Sequence, residues 1–207
     1  MSYLCSTRRV IAFDSAGFGA TPALPSGTLP TIPNLVDSLE RSMRAMRIEP
    51  PVDIAGNSLG GYMVLEAAKR GIARRVVAIS PAGLWRGHGA PHVPYVFGDL
   101  RFMARHCPQL LKATVQRPLL RELALAVPIS AGSRHMPVRD ARRAVDDLAI
   151  ASAFETTFDN TRTPFSGGGS IAVPLTVAFG DRDWILLKGW RRRSELPAHT
   201  RWVEKHR

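Results

Sequence analysis

An α/β fold is the class that this 207-residue sequence predicts: a mostly parallel sheet flanked by helices, with an inserted all-helical segment. Three observations predict it. Short β-branched runs alternate with helical patterns in the first third of the chain and again near its end. Gly56-Asn57-Ser58-Leu59-Gly60 stands between one such run and one such helix. From about Trp85 to Gly169 the strand signal disappears and only helical stretches remain.

Arg9-Val10-Ile11-Ala12-Phe13 comes first and reads as a buried parallel strand running into the turn Asp14-Ser15-Ala16-Gly17-Phe18-Gly19. After a Pro-rich loop, Leu35, Leu39, Met43 and Met46 give Asn34 to Met46 a helical period. Val52 to Ala55 is the next strand and Leu59 to Arg70 the next helix, closed by Gly71. Val76 to Ile79 is a third strand, stopped by Ser80-Pro81. Helices are expected at 95–105, 108–115, 118–126 and 138–154, separated by proline and glycine breaks. The sheet resumes at Leu175 to Phe179, then Gly180-Asp181-Arg182-Asp183, and ends with a strand at Thr200 to Glu204.

The pentapeptide around Ser58 reads G-x-S-x-G in the strand-turn-helix setting that a nucleophile elbow requires. A turn that sharp leaves no room for Cβ atoms beside the serine, hence the glycines. Ser58 then sits at a helix N-terminus, where free N–H groups favour a developing negative charge.

Bulk properties bound the function. Forty-five per cent apolar and 22% charged residues describe an ordinary globular chain. No run of about 18 apolar residues exists, so no membrane span is expected. Cys5 and Cys107 suggest no disulfide framework, and nothing at the N-terminus reads as a secretory signal, so the cytoplasm is the expected location. The net charge of +11 is almost wholly arginine in scattered pairs and triplets. No aromatic interleaving or zinc-finger spacing accompanies them, so no nucleic-acid partner is expected.

The Asp14-x-x-Gly17-x-Gly19 turn, the Gly56–Gly61 elbow, the helical insertion and Gly180-Asp181-Arg182-Asp183 after a strand together resemble the α/β-hydrolase superfamily, in its serine-nucleophile branch. The resemblance covers nearly the whole chain. It implies residues 1–84 and 170–207 as the two parts of the core, with 85–169 as a helical cap. It implies Ser58 as nucleophile, Asp183 as the acid of the triad with Asp181 a turn residue, and the Leu59 N–H as one oxyanion donor. No cofactor or metal is called for. Serine at the elbow speaks against the dehalogenase and epoxide hydrolase branches, whose nucleophile is a carboxylate.

Two parts of the family's machinery have no clear counterpart. The second oxyanion donor comes from a His-Gly-type loop upstream of the position of Val10, and the nine residues before Val10 hold no such motif. The catalytic histidine follows the last strand, where only His206 is near. His88, His92, His106 and His135 fall in the insertion, and His199 at the wrong end of the last strand. The resemblance therefore implies a member shortened at both ends. It also implies that the strands at Val10 and Val52 either pair directly or leave a gap in the sheet.

The function expected is hydrolysis of an ester or a ring-fission product through an acyl-Ser58 intermediate, on a small apolar or acyl substrate. The alternative is a non-catalytic remnant of the scaffold that at most binds a ligand. Tyr95, Phe97, Phe102, Met103, Leu110 and Leu111 either line the pocket or, more commonly for such residues, form cap core.

Overall fold

The structure, a computed structural model, describes residues 2–87, 91–125, 132–181 and 183–205. In chain order the elements are α1 (Ser2–Cys5), α2 (Ile32–Ala45), β1 (Val52–Asn57), α3 (Leu59–Lys69) and β2 (Ala73–Ile79). Helices α4 (Val93–His106), α5 (Pro108–Gln116), α6 (Pro118–Leu125), α7 (Val138–Ile150) and α8 (Phe154–Asn160) follow, then β3 (Leu175–Gly180) and β4 (Arg201–Lys205). The four strands form one parallel sheet in the order β1-β2-β3-β4.

The register explains which residues make the core. Ile54, Val76 and Leu175 lie in one row and Gly56, Ala78, Val177 and Trp202 in the next. Side chains alternate faces along a strand, so these rows face one way. Helix α3 packs on β1 and β2, and its Tyr62, Val64 and Leu65 share a buried cluster with Val76, Ala78, Leu175 and Val177. Helix α2 packs on α3 in turn. Thr31 caps α2 by accepting from the Asn34 N–H at 3.4 Å, and Arg70, just after α3, reaches Asp37 of α2 at 2.6 Å. On the opposite face of β2, Val77 and Ile79 are 39% and 43% exposed. The burial of strand β2 therefore alternates, although its residues Val76 to Ile79 form a continuous apolar run.

Two expectations are corrected. Arg9–Phe13 forms no strand: its backbone makes no ladder with any described strand, and Phe13 is 40% exposed. β-Branched composition describes fit to a neighbouring pleated surface, and without a neighbour it does not make a strand. Of the two arrangements expected for Val10 and Val52, direct pairing is absent. Among the described residues strand β1 pairs with β2 alone, and the Arg8 side chain reaches Asp53 on it at 3.3 Å.

The second correction concerns the helix expected over 138–154, which ends as α7 at Ile150; after a break at Ala151–Ala153 a further helix, α8, runs over Phe154–Asn160, where none was expected. The break is a docking point. The Ala153 N–H donates to the Gly17 carbonyl at 3.4 Å, and a Cβ on Gly17, whose φ is +82°, would lie 2.2 Å from the Ala153 Cβ. The turn after Asp14 thus needs glycine at 17 both for its backbone and for this contact.

Between β2 and β3 the helices hold a second buried cluster, Ala104, Leu111, Val115, Ala141 and Val145, with Met103 packed against it. Leu111 and Met103 are thus core, as the commoner reading expected. Tyr95, Phe102 and Leu110 are neither core nor pocket, being 74%, 59% and 61% exposed. The buried side of α4 runs through Arg101 and Ala104, so the other side faces solvent whatever its residue type.

Arg101 is buried and satisfied by Glu155 at 3.0 Å and by the carbonyls of Ala151 at 2.6 Å and Leu148. The Arg101 hydrogen bond, against the opposing effect of partial burial and aided by the charge of Arg105, holds Glu155 below its ordinary value. A carboxyl lowered on folding stabilises fully above its unfolded value and loses that contribution as pH falls through the folded one. Below pH 4.5 the melting temperature of the wild type should therefore fall more steeply than that of Glu155→Gln, followed by circular dichroism. Parallel curves would show that the pair carries no such linkage.

Candidate active site

The turn between β1 and α3 is held by backbone contacts that only certain residues permit. Ser58 has φ 51° and ψ −114°, a region that costs a non-glycine residue about 1–3 kcal/mol. Neighbouring hydrogen bonds hold it there. The Ser58 N–H donates to the Ile79 carbonyl at 2.9 Å, and its own carbonyl accepts from Tyr62 N at 3.1 Å and Ala82 N at 2.9 Å. A Cβ on Gly56 would lie 2.1 Å from the Gly60 carbonyl oxygen, and one on Gly61 2.7 Å from Pro81 Cα. Gly60, although part of the motif, has open space where a Cβ would stand.

This geometry leaves Ser58 exposed at the start of α3. The Leu59 N–H opens that helix and has no acceptor among the described residues, so it is free to donate to an oxyanion beside Ser58.

Ser58 and Leu59 border a cavity of about 200 Å³. Its walls come from segments far apart in sequence: Phe18 of the Asp14 turn, Trp85 after β2, Phe97 of α4, Phe154 and Phe158 of α8, and Ile185 after β3. The cavity lies beyond the C-terminal ends of the parallel strands, where ligands bind in open α/β sheets. Apart from Phe97 and the elbow, none of these wall residues stood out in the sequence. The available signal was position, because loops following strand ends converge at one rim.

Asp183 lies on the loop after β3, half-buried. Its Oδ1 accepts from the N–H groups of Ile185 at 3.0 Å and Leu186 at 2.8 Å, leaving Oδ2 without a hydrogen bond among the described residues. Asp183 is not on the cavity wall; its neighbour Ile185 is. His206 and His88 lie outside the described residues. His92 reaches the same loop, its Nε2 2.9 Å from the Trp184 carbonyl oxygen. His199 bonds the Val173 carbonyl at 3.1 Å, before β3 begins, and His106 stacks on Phe102. No imidazole among the described residues is hydrogen-bonded to Ser58 or Asp183, and those residues hold no cluster of metal-ligating side chains.

The comparisons with known proteins agree with the fold. Residues 1–205 match the model of the alpha/beta hydrolase family, and the chain belongs to that family. It is similar to epoxide hydrolase EphH of Mycobacterium tuberculosis, with 33% identity over 125 residues. That match takes in 58% of this chain and 56% of the relative, so it spans little more than half of that protein's length. Among solved structures, a meta-cleavage product hydrolase from Pseudomonas fluorescens superposes with a TM-score of 0.66 at 20% identity, covering 98% of this chain and 73% of the other. A thermophilic esterase from Thermogutta terrifontis superposes with a TM-score of 0.63 at 17% identity, covering 99% and 73%. At these identities the two structures speak for the fold. Among the described residues no helix is long and apolar enough to cross a membrane.

Proposed function

We propose that the protein is a serine hydrolase of small acyl compounds, ester-like in the bond it cleaves, acting through an acyl-Ser58 intermediate. One observation carries the reading: a strained, exposed serine at a helix N-terminus forms part of the wall of an apolar cavity. The Ser58 hydroxyl attacks the acyl carbon, the leaving group departs, and water then releases the acid. The Leu59 N–H stabilises the oxyanion, and a donor of this kind is worth about 2.7–4 kcal/mol in the transition state. Asp183 orients and electrostatically supports the imidazole that takes the serine proton, and His206 is that imidazole in this scheme. Helices α4 to α8, within residues 85–169, act as a cap that shapes the acyl pocket over Ser58.

The similarity to an epoxide hydrolase does not transfer its chemistry, because ring opening through an alkyl-enzyme ester needs a carboxylate where this chain has Ser58. A fluorophosphonate probe tests the reading. Wild-type protein should be labelled at Ser58 and hydrolyse p-nitrophenyl butyrate, and Ser58→Ala should lose the label and at least about 10³-fold of the turnover. Folded wild-type protein that takes no label, or styrene oxide turnover that survives Ser58→Ala, would overturn it.

One observation favours the second reading, a ligand-binding protein without turnover: no described imidazole is bonded to Asp183 or Ser58. Ligand binding in the cavity with neither label nor ester turnover would support it.

A further inference from the structure

Among the described residues, the cavity beside Ser58 is lined by one charged residue, Arg162, and by no carboxylate. Arg162 follows α8 and is half-buried, with its guanidinium 5.9 Å from the Phe158 ring centroid. No acidic residue pairs with it among the described residues. The other arginines that line buried parts of the fold are treated differently: Arg101 and Arg191 each meet a glutamate, and Arg121 is surrounded by carbonyls. A half-buried guanidinium beside an aromatic ring and without a counter-ion keeps its donors available to an anionic ligand.

The rest of the wall is mostly apolar, with four phenylalanines among its residues. A wall that combines one unpaired cation with an apolar lining is matched by an anion carried on an apolar body.

We propose that the cavity selects acyl substrates carrying a free carboxylate at the far end of an apolar acyl chain, and that Arg162 binds that carboxylate. For its chemistry this rests on the serine-hydrolase reading, since the acyl carbon must lie at Ser58 while the carboxylate lies at Arg162. The apolar body contacts Phe18, Phe97, Phe154 and Phe158. Arginine suits a planar carboxylate because its fork donates two parallel hydrogen bonds, and the water-poor surroundings strengthen them. A single arginine with no cluster of backbone N–H groups fits a monoanion better than a phosphate dianion. The chain's net charge of +11 draws such anions toward the protein. Arg162 is a specificity-determining residue in this scheme and touches no reacting atom.

Two esters separate the charge from the chain: mono-p-nitrophenyl adipate, and p-nitrophenyl hexanoate, in which a methyl group replaces the carboxylate. The expected ratio of kcat/KM favours the adipate by about 10-fold or more in the wild type and collapses in Arg162→Met, the change falling mainly on KM. Arg162→Lys should recover part of the preference, because it restores charge without the fork. A separate arm uses no turnover. Calorimetry of monomethyl adipate on Ser58→Ala protein should give binding that weakens about 10-fold or more when Arg162→Met is added. Equal binding with and without Arg162, or an unchanged adipate preference in Arg162→Met, would overturn the proposal. Arg162-dependent binding with no turnover of either ester would instead sink the hydrolase reading and leave the carboxylate site standing.

Discussion

Gly56→Ala is expected to destabilise the fold by about 3 kcal/mol, whereas Gly60→Ala, four residues along in the same motif, is expected to be neutral or stabilising by up to about 1 kcal/mol. The difference lies in what each new methyl group meets. At position 56 it would sit 2.1 Å from the Gly60 carbonyl oxygen, 2.3 Å from its carbon and 2.9 Å from the Gly61 nitrogen, all of them backbone. Relief requires moving the first turn of α3 away from β1, which breaks the hydrogen bonds that Ser58 makes with Ile79, Tyr62 and Ala82. At position 60 the methyl group meets nothing within 4 Å and lies in a helix, where alanine is preferred to glycine. For a chain of this length the Gly56 variant should melt roughly 6–12 °C lower by calorimetry. A Gly56→Ala protein that melts with the wild type would show that the elbow accommodates the methyl group and that the close approach is not what selects glycine there.

Arg191→Met should cost about 2–3 kcal/mol, more than any exposed arginine of the chain. The Arg191 side chain is 2% exposed and binds three groups: the Leu186 carbonyl at 2.8 Å, the Gly180 carbonyl at 2.9 Å and Glu204 at 3.1 Å. Its guanidinium also lies 4.4 Å from the Phe179 ring centroid. One side chain therefore joins the end of β3, the Asp183 loop and β4. Methionine keeps most of the volume and leaves two carbonyls and a carboxylate without their donor. Glu204 is 29% exposed and also meets Lys188 and the Trp202 N–H, which is why the figure is set below that of a fully buried broken pair. Urea unfolding should place the variant's midpoint well below that of Arg193→Met. Equal midpoints for the two variants would mean that the three-way junction adds nothing measurable.

Glu204 responds to acid in the same direction. Burial pushes its carboxyl up, but the Trp202 hydrogen bond, Arg191 and Lys188 outweigh burial and hold it below its ordinary value. Its stabilisation is complete above the ordinary carboxylate range and is lost as pH falls through the lowered value.

The elements most legible in the sequence are those whose local pattern and tertiary contacts demand the same residues. Val52 to Asn57 and Leu59 to Lys69 were readable because the turn between them needs glycine at 56 and 61 on contact grounds, and the motif records that need. The strands at Val76 and Leu175 were readable from apolar runs that do face a core. Arg9–Phe13 was misread because its β-branched residues speak to a neighbour that the fold does not place beside them. The break at Ala151–Ala153 was invisible because alanine and serine interrupt no helical pattern, and what ends the helix is docking on Gly17. Ser58 could be singled out from five residues. Trp85, Thr157 and Arg162 could not, since they share a wall only after segments far apart in sequence fold together.

The outer side of β1 has a consequence for how copies of this protein coexist at high concentration. Among the described residues β1 is paired on one side only, and such an edge offers a template onto which another chain can add, the first step toward ordered aggregates. Asp53 sits near the start of that strand, clasped by Arg8 at 3.3 Å and Arg74 at 3.0 Å. The hydrogen bond from Arg74, with the nearby arginine charges and against the opposing effect of desolvation, lowers its carboxyl below the ordinary value, so it stays ionised at neutral pH. An incoming strand would have to strip water from a fixed carboxylate and two guanidiniums before its first ladder bond could form. The same cluster that tethers the N-terminal segment thus places a desolvation cost at the start of that edge.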